Sequence, residues 1–326
     1  MSDDNETIIL DRNLAIEAAR VAEAAAIASY RQIGMGNEKA ADQAAVDAMR
    51  KALNVLDIDG TIVIGEGERD EAPMLYIGEK VGKGTGQKID IALDPLEGTT
   101  ITATGGPNAL TVIAFATEGG LLNAPDTYMD KIAVGGGLPP GVINLDAAPE
   151  ENIRELAKAM SCAPSDIVAC ILSRPRHEEM IAKVRETGAS IRLIPDGDVA
   201  GVIATATADT GIHIYMGTGG APEGVLAAAA LRSIGGQMEG RLVFRNDDER
   251  NRARNVGITD LDAKYNLDKL ASGDVIFAAC GVTDGAMLDG VHRDGDAMTT
   301  HTLVMRSKTG TVRWIKARHA AGKVAG

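Results

Sequence analysis

Helix-like and strand-like segments alternate between Glu150 and Ile234, and this alternation constrains the fold more than any other feature of the sequence. The predicted order is helix, strand, helix, strand, helix, strand, helix, over Glu150–Met160, Ile167–Ser173, His177–Thr187, Ser190–Ile194, Val199–Ala206, Gly211–Met216 and Pro222–Ile234. Such an order is typical of a parallel sheet that is covered by helices. The second half of the chain is therefore predicted to contain an α/β layer.

The beginning and the end of the chain follow other patterns. Two helices are predicted first, over about Asp11–Gly34 and Glu38–Leu56, and short strands follow at Thr61–Ile64, Ile89–Leu93 and Leu110–Ala116. Three strands are predicted in the tail, at Val275–Cys280, His301–Arg306 and Val312–Ala317. The short Ser307–Gly310 connection between the last two predicts an antiparallel hairpin.

A chain of 326 residues is long enough to form more than one core, because cores tend to divide beyond about 250–300 residues. The glycine-rich segment Gly135–Gly141 is the best candidate for a boundary. We expect an N-terminal α+β domain over residues 1–140 and a C-terminal α/β domain over residues 141–326, with the tail strands of 271–326 able to pack elsewhere. The predicted fold class is α/β, in the form of an α+β layered sandwich.

The net charge excludes one large class of partners. The chain has 33 Lys and Arg against 46 Asp and Glu, a formal net charge of −13, and only 3% aromatic residues. A nucleic-acid-binding protein needs a basic face and often aromatic platforms for bases. Because the sequence has no long apolar run and begins with acidic rather than basic residues, we expect no membrane partner and a cytoplasmic location.

The cysteines and the common motifs add mainly exclusions. Cys162, Cys170 and Cys280 have no metal-type spacing and are predicted to be buried thiols. The sequence contains no GxxxxGK[ST] motif, its glycines do not match GxGxxG, and His177 lacks the second histidine of HExxH. P-loop, dinucleotide and zinc-protease interpretations therefore lose support.

One acidic residue stands on an apolar helix stripe. Asp42 lies one turn before Val46, Met49 and Leu53, so its side chain is predicted to point inward with them. A buried carboxylate needs a partner. A lone aspartate near a helix start also commonly interacts with first-turn amides, so Asp42 alone does not establish a site.

A second group of acidic residues follows the predicted strands. Gly65–Glu71 packs four acids into seven residues, although such runs usually form solvated loops. Asp94 and Glu97 flank a turn stiffened by Pro95. Carboxylate oxygens bind hard cations, and the amides of the following Gly98 and Thr99 can bind an anion. The DPLEGT segment therefore predicts a metal beside a phosphate.

A glycine-rich turn precedes the helix predicted to begin at Pro222. Free amides at Gly219 and Gly220 suit a phosphate. Glu223, in the first turn, can face a metal or simply stabilise the helix dipole.

Two further segments follow the strands of the predicted α/β layer. Arg174 and Arg176 suit bidentate phosphate contact, although surface salt bridges explain them nearly as well. Asp196-Gly197-Asp198 suits sugar hydroxyls or an ordinary turn. Each signal is weak, but together they place acidic and basic groups at several strand ends of one sheet.

These segments resemble a known family. Asp94-Pro95-Leu96-Glu97-Gly98-Thr99 is similar to a motif of the lithium-sensitive phosphatases related to inositol monophosphatase. Together with Ala40–Asp42, Ile64–Glu68, Asp70–Leu75, Arg174–His177 and Gly219–Gly224, it resembles the class II fructose-1,6-bisphosphatases over roughly Leu10 to the C-terminus. The resemblance implies the inositol monophosphatase/fructose-bisphosphatase-like fold, with a metal-binding N-terminal domain and a sugar-phosphate-binding C-terminal domain.

The resemblance also implies a role for each site residue. The implied metal ligands, for Mg²⁺ or Mn²⁺, are Asp42, Glu66, Asp94, Glu97 and Glu223. The implied substrate contacts are Glu97, Gly98, Thr99, Tyr128, Arg174, Pro175, Arg176, Asp196, Gly197, Asp198 and Gly220. Thr99, Asp42 and Glu66 are the implied catalytic residues. Tyr128 has no support from the residue patterns alone.

The implied reaction is metal-dependent hydrolysis of the 1-phosphate of fructose 1,6-bisphosphate, in which an activated water attacks in line. Three alternatives stay open. The first is a bifunctional or primary sedoheptulose-1,7-bisphosphatase or a phosphatase of an inositol-type monophosphate, and the second is a non-catalytic sugar-phosphate or divalent-cation binding protein. The third is an α/β protein whose acids are only surface charge. The presence of all five implied ligands favours the enzyme. The expected partner is a small sugar bisphosphate, and the family implies a homo-oligomer, either a dimer or a tetramer.

Overall fold

The computed structural model describes residues 9–67, 74–207 and 210–320. Its helices are α1 Leu14–Tyr30, α2 Glu38–Leu53, α3 Thr99–Thr104, α4 Pro149–Ala159, α5 Glu178–Glu186, α6 Asp198–Ile203, α7 Ala221–Ile234, α8 Asp247–Asn255 and α9 Leu267–Leu270. Its strands are β1 Ile58–Ile64, β2 Lys80–Val81, β3 Gln87–Glu97, β4 Leu110–Thr117, β5 Tyr128–Val134, β6 Val168–Leu172, β7 Ser190–Ile194, β8 Ile214–Gly220, β9 Gln237–Val243, β10 Lys264–Asn266, β11 Val275–Gly281, β12 His292–Asp294, β13 Ala297–Arg306 and β14 Thr311–His319. The predicted helices and strands are present, with ends that differ by a few residues.

The first sheet combines strands from both ends of the chain. Its order is β12-β13-β11-β4-β3-β1-β2, and β14 pairs with β13. β1 and β3 are parallel, whereas the pairs that involve β4, β11, β13 and β14 are antiparallel. The predicted hairpin is confirmed, since Arg306 pairs with Thr311 across its turn.

Helices α1 and α2 cover one face of this sheet. α1 buries a row of alanines that includes Ala18, Ala22 and Ala25. Small side chains allow the helix backbone to lie close to α2 and to the sheet. The core beneath them contains aliphatic side chains and one large aromatic, Phe115, from the middle of β4.

The second sheet corrects one expectation. Its order is β10-β9-β5-β8-β6-β7. Only β6 pairs in parallel, with β7 and with β8, whereas β5 pairs antiparallel with β8 and with β9. The prediction of a parallel sheet is therefore wrong beyond three strands. The error arises because β5 was not predicted. It precedes Gly135, and its residues Asp130 and Lys131 interrupt the apolar pattern of a strand.

Helix α7 lies between the two sheets. It contacts β3, β4 and β11 of the first sheet and β5, β8 and β9 of the second. The segment from Val225 to Leu231 is buried on every side, as expected for a helix that is apolar all round. The layers are thus α1 and α2, the first sheet, α7 with α6, the second sheet, and α4 with α5. The predicted layered α/β sandwich is confirmed.

Sheet membership does not follow the order of the chain. β5 precedes residue 140 and lies in the second sheet, while β11 to β14 follow residue 271 and lie in the first. The division into domains at residues 1–140 and 141–326 stays a prediction.

Two smaller expectations concern exposure. The three cysteines are free thiols; Cys170 and Cys280 are buried, but Cys162 is only partly buried, which corrects the prediction for that residue. Within the described ranges, no helix has both the length and the apolar character needed to cross a membrane.

Candidate active site between the two sheets

A cavity of about 320 Å³ opens between the two sheets. Its wall is mainly acidic, and it is lined by Asp42, Gly65, Glu66, Gly67, Leu93, Asp94, Leu96, Glu97, Gly98, Thr99, Asp126, Asp196, Asp198, Pro222, Glu223 and Leu226. The five carboxylates predicted as metal ligands are all present in this wall. Residues that are far apart in the sequence therefore meet at one place.

Each of these carboxylates comes from the end of an element or from the first turns of a helix. Asp42 lies in α2, Glu66 follows β1, and Glu223 lies in the first turn of α7. The Glu66 N–H donates to the Leu75 carbonyl at 3.0 Å, which holds the backbone of Glu66 in place. The acids Glu68, Asp70 and Glu71 of the same run lie outside the described residues.

Asp94 and Glu97 lie on a strand that is longer than predicted. β3 continues through Pro95 to Glu97, and its pairing with β4 shifts between Asp94, opposite Val112, and Glu97, opposite Leu110. Between these two pairs, Pro95 and Leu96 of β3 lie opposite the single residue Thr111 of β4. A bulge of this kind bends a strand and redirects its side chains, and here both carboxylates reach the cavity.

Gly98 then turns the chain into the short helix α3. Its φ of +92° lies in the left-handed region that favours glycine. Gly98 and Thr99 line the cavity, as predicted. The N–H groups of the first turn of a helix have no partner within it, so this turn offers donors to an anion.

Glu97 connects the first sheet to the helices of the second. Its side chain is buried, and its Oε1 atom accepts a hydrogen bond from the Val199 N–H of α6 at 3.0 Å. Its Oε2 atom is buried and has no hydrogen-bond partner among the described residues. One oxygen is therefore occupied and the other is left for a ligand.

A buried lysine, Lys131, contacts residues beside the same cavity. The Nζ atom of Lys131 forms an ion pair with Asp198 and donates to the Gly220 carbonyl at 2.8 Å. Only 1% of the Lys131 side chain is exposed. Asp198 begins α6 and Gly220 precedes α7, so Lys131 joins the N-termini of the two helices.

Close approach at this junction requires glycine. A Cβ atom at Gly219 would lie 2.1 Å from Asp198 Oδ2, and one at Gly220 would lie 1.9 Å from Glu223 Oε2. Any larger residue would displace a carboxylate of the site. The glycines predicted to bind phosphate thus have a packing role as well.

The acidic groups of the cavity raise one another's pKa. Burial, and then the neighbouring Asp42 and Glu223, raise the pKa of Glu66 to about 8. Burial and the nearby Asp198 raise the pKa of Glu223 to about 7, although Lys131 acts in the opposite direction. Burial raises the pKa of Asp94 well above its ordinary value, and Glu66 and Glu223 add to the effect. Without a cation, Glu66 therefore holds a proton at neutral pH.

The donor set fits a hard divalent cation. Carboxylate oxygens are the preferred ligands of Mg²⁺ and Mn²⁺, and both Glu97 Oε2 and Glu223 Oε2 are buried without a hydrogen-bond partner in the described structure. Across residues 9–67, 74–207 and 210–320, however, no three Asp, Glu, His or Cys side chains already surround a common point. Binding would therefore have to draw the carboxylates together.

Arginines and one tyrosine lie beside the cavity and do not line it. The Arg176 side chain donates from Nε and Nη2 to the Thr218 carbonyl, and its guanidinium lies 5.0 Å from the centre of the Tyr128 ring. Arg174 lies 3.9 Å from Asp196, a cavity residue. The exposed Pro175 begins the turn that carries Arg176. Arg174 and Arg176, two of the predicted substrate contacts, thus form a basic flank beside the acidic cavity.

A buried histidine holds this flank in place. The Nδ1 atom of His177 lies 2.7 Å from the Leu172 carbonyl, and its Nε2 accepts from the Thr218 N–H at 2.8 Å. Burial lowers the pKa of His177. The neutral ring therefore joins the end of β6 to β8.

The Asp196–Asp198 segment repeats the geometry seen at Gly98. Gly197 has a φ of +82° and precedes α6. Asp196 and Asp198 line the cavity, whereas Gly197 and Gly220 do not. Of the predicted site residues, the cavity wall thus contains all the acidic ones together with Gly98 and Thr99.

Comparison with known proteins identifies the family. A family model described as bacterial fructose-1,6-bisphosphatase, glpX-encoded, matches residues 12–319. The chain belongs to this family. It is 47% identical to fructose-1,6-bisphosphatase 1 class 2 of Escherichia coli K12, over 94% of this chain and 95% of that protein. The identity and the coverage are the same for the class 2 fructose-1,6-bisphosphatase of Shigella flexneri.

The expected resemblance is thereby confirmed over nearly the whole chain. Members of the fructose-1,6-bisphosphatase family depend on divalent metal ions, which agrees with the composition of the cavity wall.

Sequence reasoning missed three residues at this site. Asp126 lines the cavity, and Lys131 forms an ion pair with the cavity residue Asp198. Arg245 lies 4.8 Å from the centre of the Tyr128 ring. Asp126 and Lys131 gave no local signal, because a single charge near a strand usually belongs to the surface. Arg245 precedes Glu249 by four residues. This spacing is typical of an ordinary helix salt bridge, so nothing in the sequence was a reason to place Arg245 at a binding site.

Proposed function

We propose that this chain hydrolyses the 1-phosphate of fructose 1,6-bisphosphate to give fructose 6-phosphate and phosphate, the fructose-bisphosphatase step of gluconeogenesis. The observation that carries the proposal is the convergence of the five predicted carboxylates in one cavity, in a chain of the bacterial fructose-1,6-bisphosphatase family. The basic flank beside the cavity supports a substrate with a second phosphate.

The residues that would hold the cations are Asp42, Glu66, Asp94, Glu97 and Glu223. A bound divalent cation supplies positive charge to the phosphate and lowers the pKa of water. The unpartnered oxygens of Glu97 and Glu223 support this assignment. Mg²⁺ and Mn²⁺ both suit carboxylate oxygens, and we propose that either serves.

The first turn of α3 would orient the phosphate that is cleaved. Gly98 and Thr99 line the cavity beside the carboxylates, and their amides would donate to phosphate oxygens. The Thr99 hydroxyl can position the attacking water, with Asp42 or Glu66 as the group that accepts its proton.

The second sheet would bind the remainder of the substrate. Asp196 and Asp198 lie where sugar hydroxyls can donate to carboxylates. Arg174, Arg176 and Tyr128 would contact the phosphate that is not cleaved. Pro175 would shape the turn that carries Arg176, and Gly197 the turn that carries the two aspartates. Gly220 pairs with Tyr128 in the sheet. This assignment is supported by the position of these residues at one edge of the second sheet, where β6, β7 and β8 end and β5 begins.

The test is phosphate release from a panel of substrates with Mn²⁺ or Mg²⁺, followed by addition of a chelator. The panel is fructose 1,6-bisphosphate, sedoheptulose 1,7-bisphosphate and inositol 1-phosphate. We expect chelator-sensitive release from fructose 1,6-bisphosphate, and its loss in Asp94→Asn. Preferential release from one of the other substrates would replace the proposed substrate, and no release from any would favour a binding protein.

Two further properties belong to the proposal. We expect a homo-oligomer, because the family resemblance implies one, and a cytoplasmic location, where sugar phosphates are metabolised. Size-exclusion chromatography with light scattering tests the first property.

A further inference from the structure

Several strands of the second sheet end at the same edge. β6 is parallel to β7 and to β8, and β5 is antiparallel to both β8 and β9. The strands β6, β7, β8 and β9 therefore run in one direction. Ligands of α/β sheets bind beyond the carboxyl ends of such strands.

Three of these four strand ends carry segments that are already part of the proposed site. The arginines at 174 and 176 follow β6, the aspartates at 196 and 198 follow β7, and the glycine turn before Glu223 ends β8. The fourth strand, β9, ends at Val243 and is followed by Phe244 and Arg245. Tyr128 begins β5 and pairs with both Gly220 and Val243, so the end of β9 belongs to the same edge.

Glu249 holds the Arg245 side chain over the Tyr128 ring. The Arg245 Nε donates to Glu249 Oε1 at 2.6 Å, and its backbone N–H donates to Glu249 Oε2 at 2.7 Å. Glu249 also accepts from the Thr127 hydroxyl at 3.0 Å, and its side chain is 1% exposed. The Arg245 side chain itself is 56% exposed. A buried acid thus orients a guanidinium that remains accessible to solvent.

Two guanidiniums therefore share one aromatic ring. Arg176 lies 5.0 Å and Arg245 lies 4.8 Å from the Tyr128 centroid, so the two positive charges are within about 10 Å of each other. Like charges at this separation repel. In the described residues, both Nη1 atoms are without a hydrogen bond, since Arg176 uses Nε and Nη2 and Arg245 uses the same pair of atoms. Such a pair is suited to an anion that accepts from both side chains.

We propose that Arg245 is a specificity residue, which together with Arg176 binds the phosphate that is not cleaved, beside the ring of Tyr128. This inference depends on the proposed function for the identity of the substrate. It adds a residue that neither the sequence patterns nor the family resemblance indicated. Glu249 is then the positioning residue, because it orients Arg245 and does not reach the phosphate.

The test compares Arg245→Met with Arg250→Met. Arg250 lies in α8, near Glu249, and its guanidinium contacts Asp247 at 3.3 Å, so its removal changes the charge of the region and leaves the Tyr128 ring untouched. Calorimetry measures the Kd of fructose 6-phosphate, the product that retains the second phosphate. Steady-state assays with Mn²⁺ measure KM and kcat for fructose 1,6-bisphosphate.

We expect Arg245→Met to raise the Kd of fructose 6-phosphate and the KM by on the order of 10-fold or more, as for loss of a charged hydrogen bond. The kcat is expected to stay within about threefold, because the contact is made equally before and during the reaction. Arg250→Met is expected to match the wild type. An unchanged Kd, a loss confined to kcat, or an equal loss in Arg250→Met would each overturn the inference.

Two provisions keep the test decisive. If Arg245→Met does not fold, because Glu249 is then buried without its partner, the double variant Arg245→Met/Glu249→Gln removes that charge and has the same expected result. If the wild type does not release phosphate from fructose 1,6-bisphosphate, the proposed function fails. The calorimetric comparison still decides whether Arg245 binds the phosphate of fructose 6-phosphate.

Discussion

The Oε1 atom of Glu97 accepts a hydrogen bond from the Val199 N–H at 3.0 Å, although the two residues are 102 positions apart. Glu97 ends β3 of the first sheet, and Val199 lies in the first turn of α6, which packs with the second. A proposed metal ligand is therefore also a structural link between the two sheets. The position of this carboxylate depends on both halves of the molecule.

Glu97→Gln separates these two roles. Glutamine keeps the shape and an oxygen that accepts from Val199, but it removes the negative charge. We expect kcat to fall by at least about 100-fold, since a cation ligand is weakened. Because burial raises the pKa of Glu97 well above its ordinary value, we expect the metal-free melting temperature to stay equal or to rise. Phosphate release and thermal unfolding with and without Mn²⁺ measure the two effects.

Glu23→Gln is the matched control for that variant. Glu23 is another buried glutamate, and it lies against Thr302 and far from the cavity wall. Its variant should keep both activity and the stabilisation by Mn²⁺. If Glu97→Gln also kept both, Glu97 would be only a structural link.

The buried Lys131 gives a second prediction, which concerns stability. Lys131→Met leaves Asp198 buried without its cation, and breaking a buried ion pair from one side costs about 3–5 kcal/mol. The double variant Lys131→Met/Asp198→Asn should recover much of this loss. Urea unfolding followed by circular dichroism measures the free energy of unfolding.

Lys264→Met is the control for Lys131→Met. Lys264 pairs with Asp146 and Glu239 at the surface, where 31% of its side chain is exposed, and such pairs contribute about 0–1 kcal/mol. Equal losses in the two variants would contradict the special role of Lys131.

The acidic part of the site could be predicted from the sequence, because short segments of the chain contain the motifs that indicate it. Asp94 and Glu97 are three residues apart after an apolar strand, and Glu223 follows a glycine turn into a helix. The helices α1, which is rich in alanine and has no proline, and α7, which begins beside Pro222, were also predicted. In each case a short stretch of chain contains the signal.

The parts that were not predicted depend on pairing between distant residues. β5 carries Lys131, which looks like a surface charge until its partner Asp198, 67 residues later, is known. The antiparallel insertion of β5 between β8 and β9 likewise could not be read from the helix–strand alternation. Arg245 becomes recognisable only when β9 is seen to end beside Tyr128.

Gly219 gives a third prediction, because its Cβ would lie 2.1 Å from Asp198 Oδ2. Gly219→Ala should push Asp198 away from Lys131 and lower the melting temperature by several degrees. Gly106→Ala is a milder control, since its nearest neighbour would be the Ile101 side chain at 3.3 Å. A melting temperature for Gly219→Ala equal to that of Gly106→Ala would show that the region can relax.

The crowded carboxylates make the stability of the metal-free protein depend on pH. The pKa of Glu66 is raised to about 8 and that of Glu223 to about 7, from an ordinary value of 4.5. Between about pH 5 and 8 the folded protein therefore holds protons that the unfolded chain has released. Stability must then decrease as pH rises through this range, and the change is complete above the folded pKa values.

We accordingly expect the metal-free melting temperature to fall from pH 5.5 to pH 8.5, with Glu66 contributing on the order of 1 kcal/mol per pH unit. Saturating Mn²⁺ replaces the protons, so its stabilising effect should grow over the same range. Glu66→Gln removes one of the titrating groups and isolates its contribution from that of the histidines. Thermal unfolding of both proteins across this range is the measurement, and a pH slope in Glu66→Gln as steep as in the wild type would show that Glu66 does not hold a proton in the folded state.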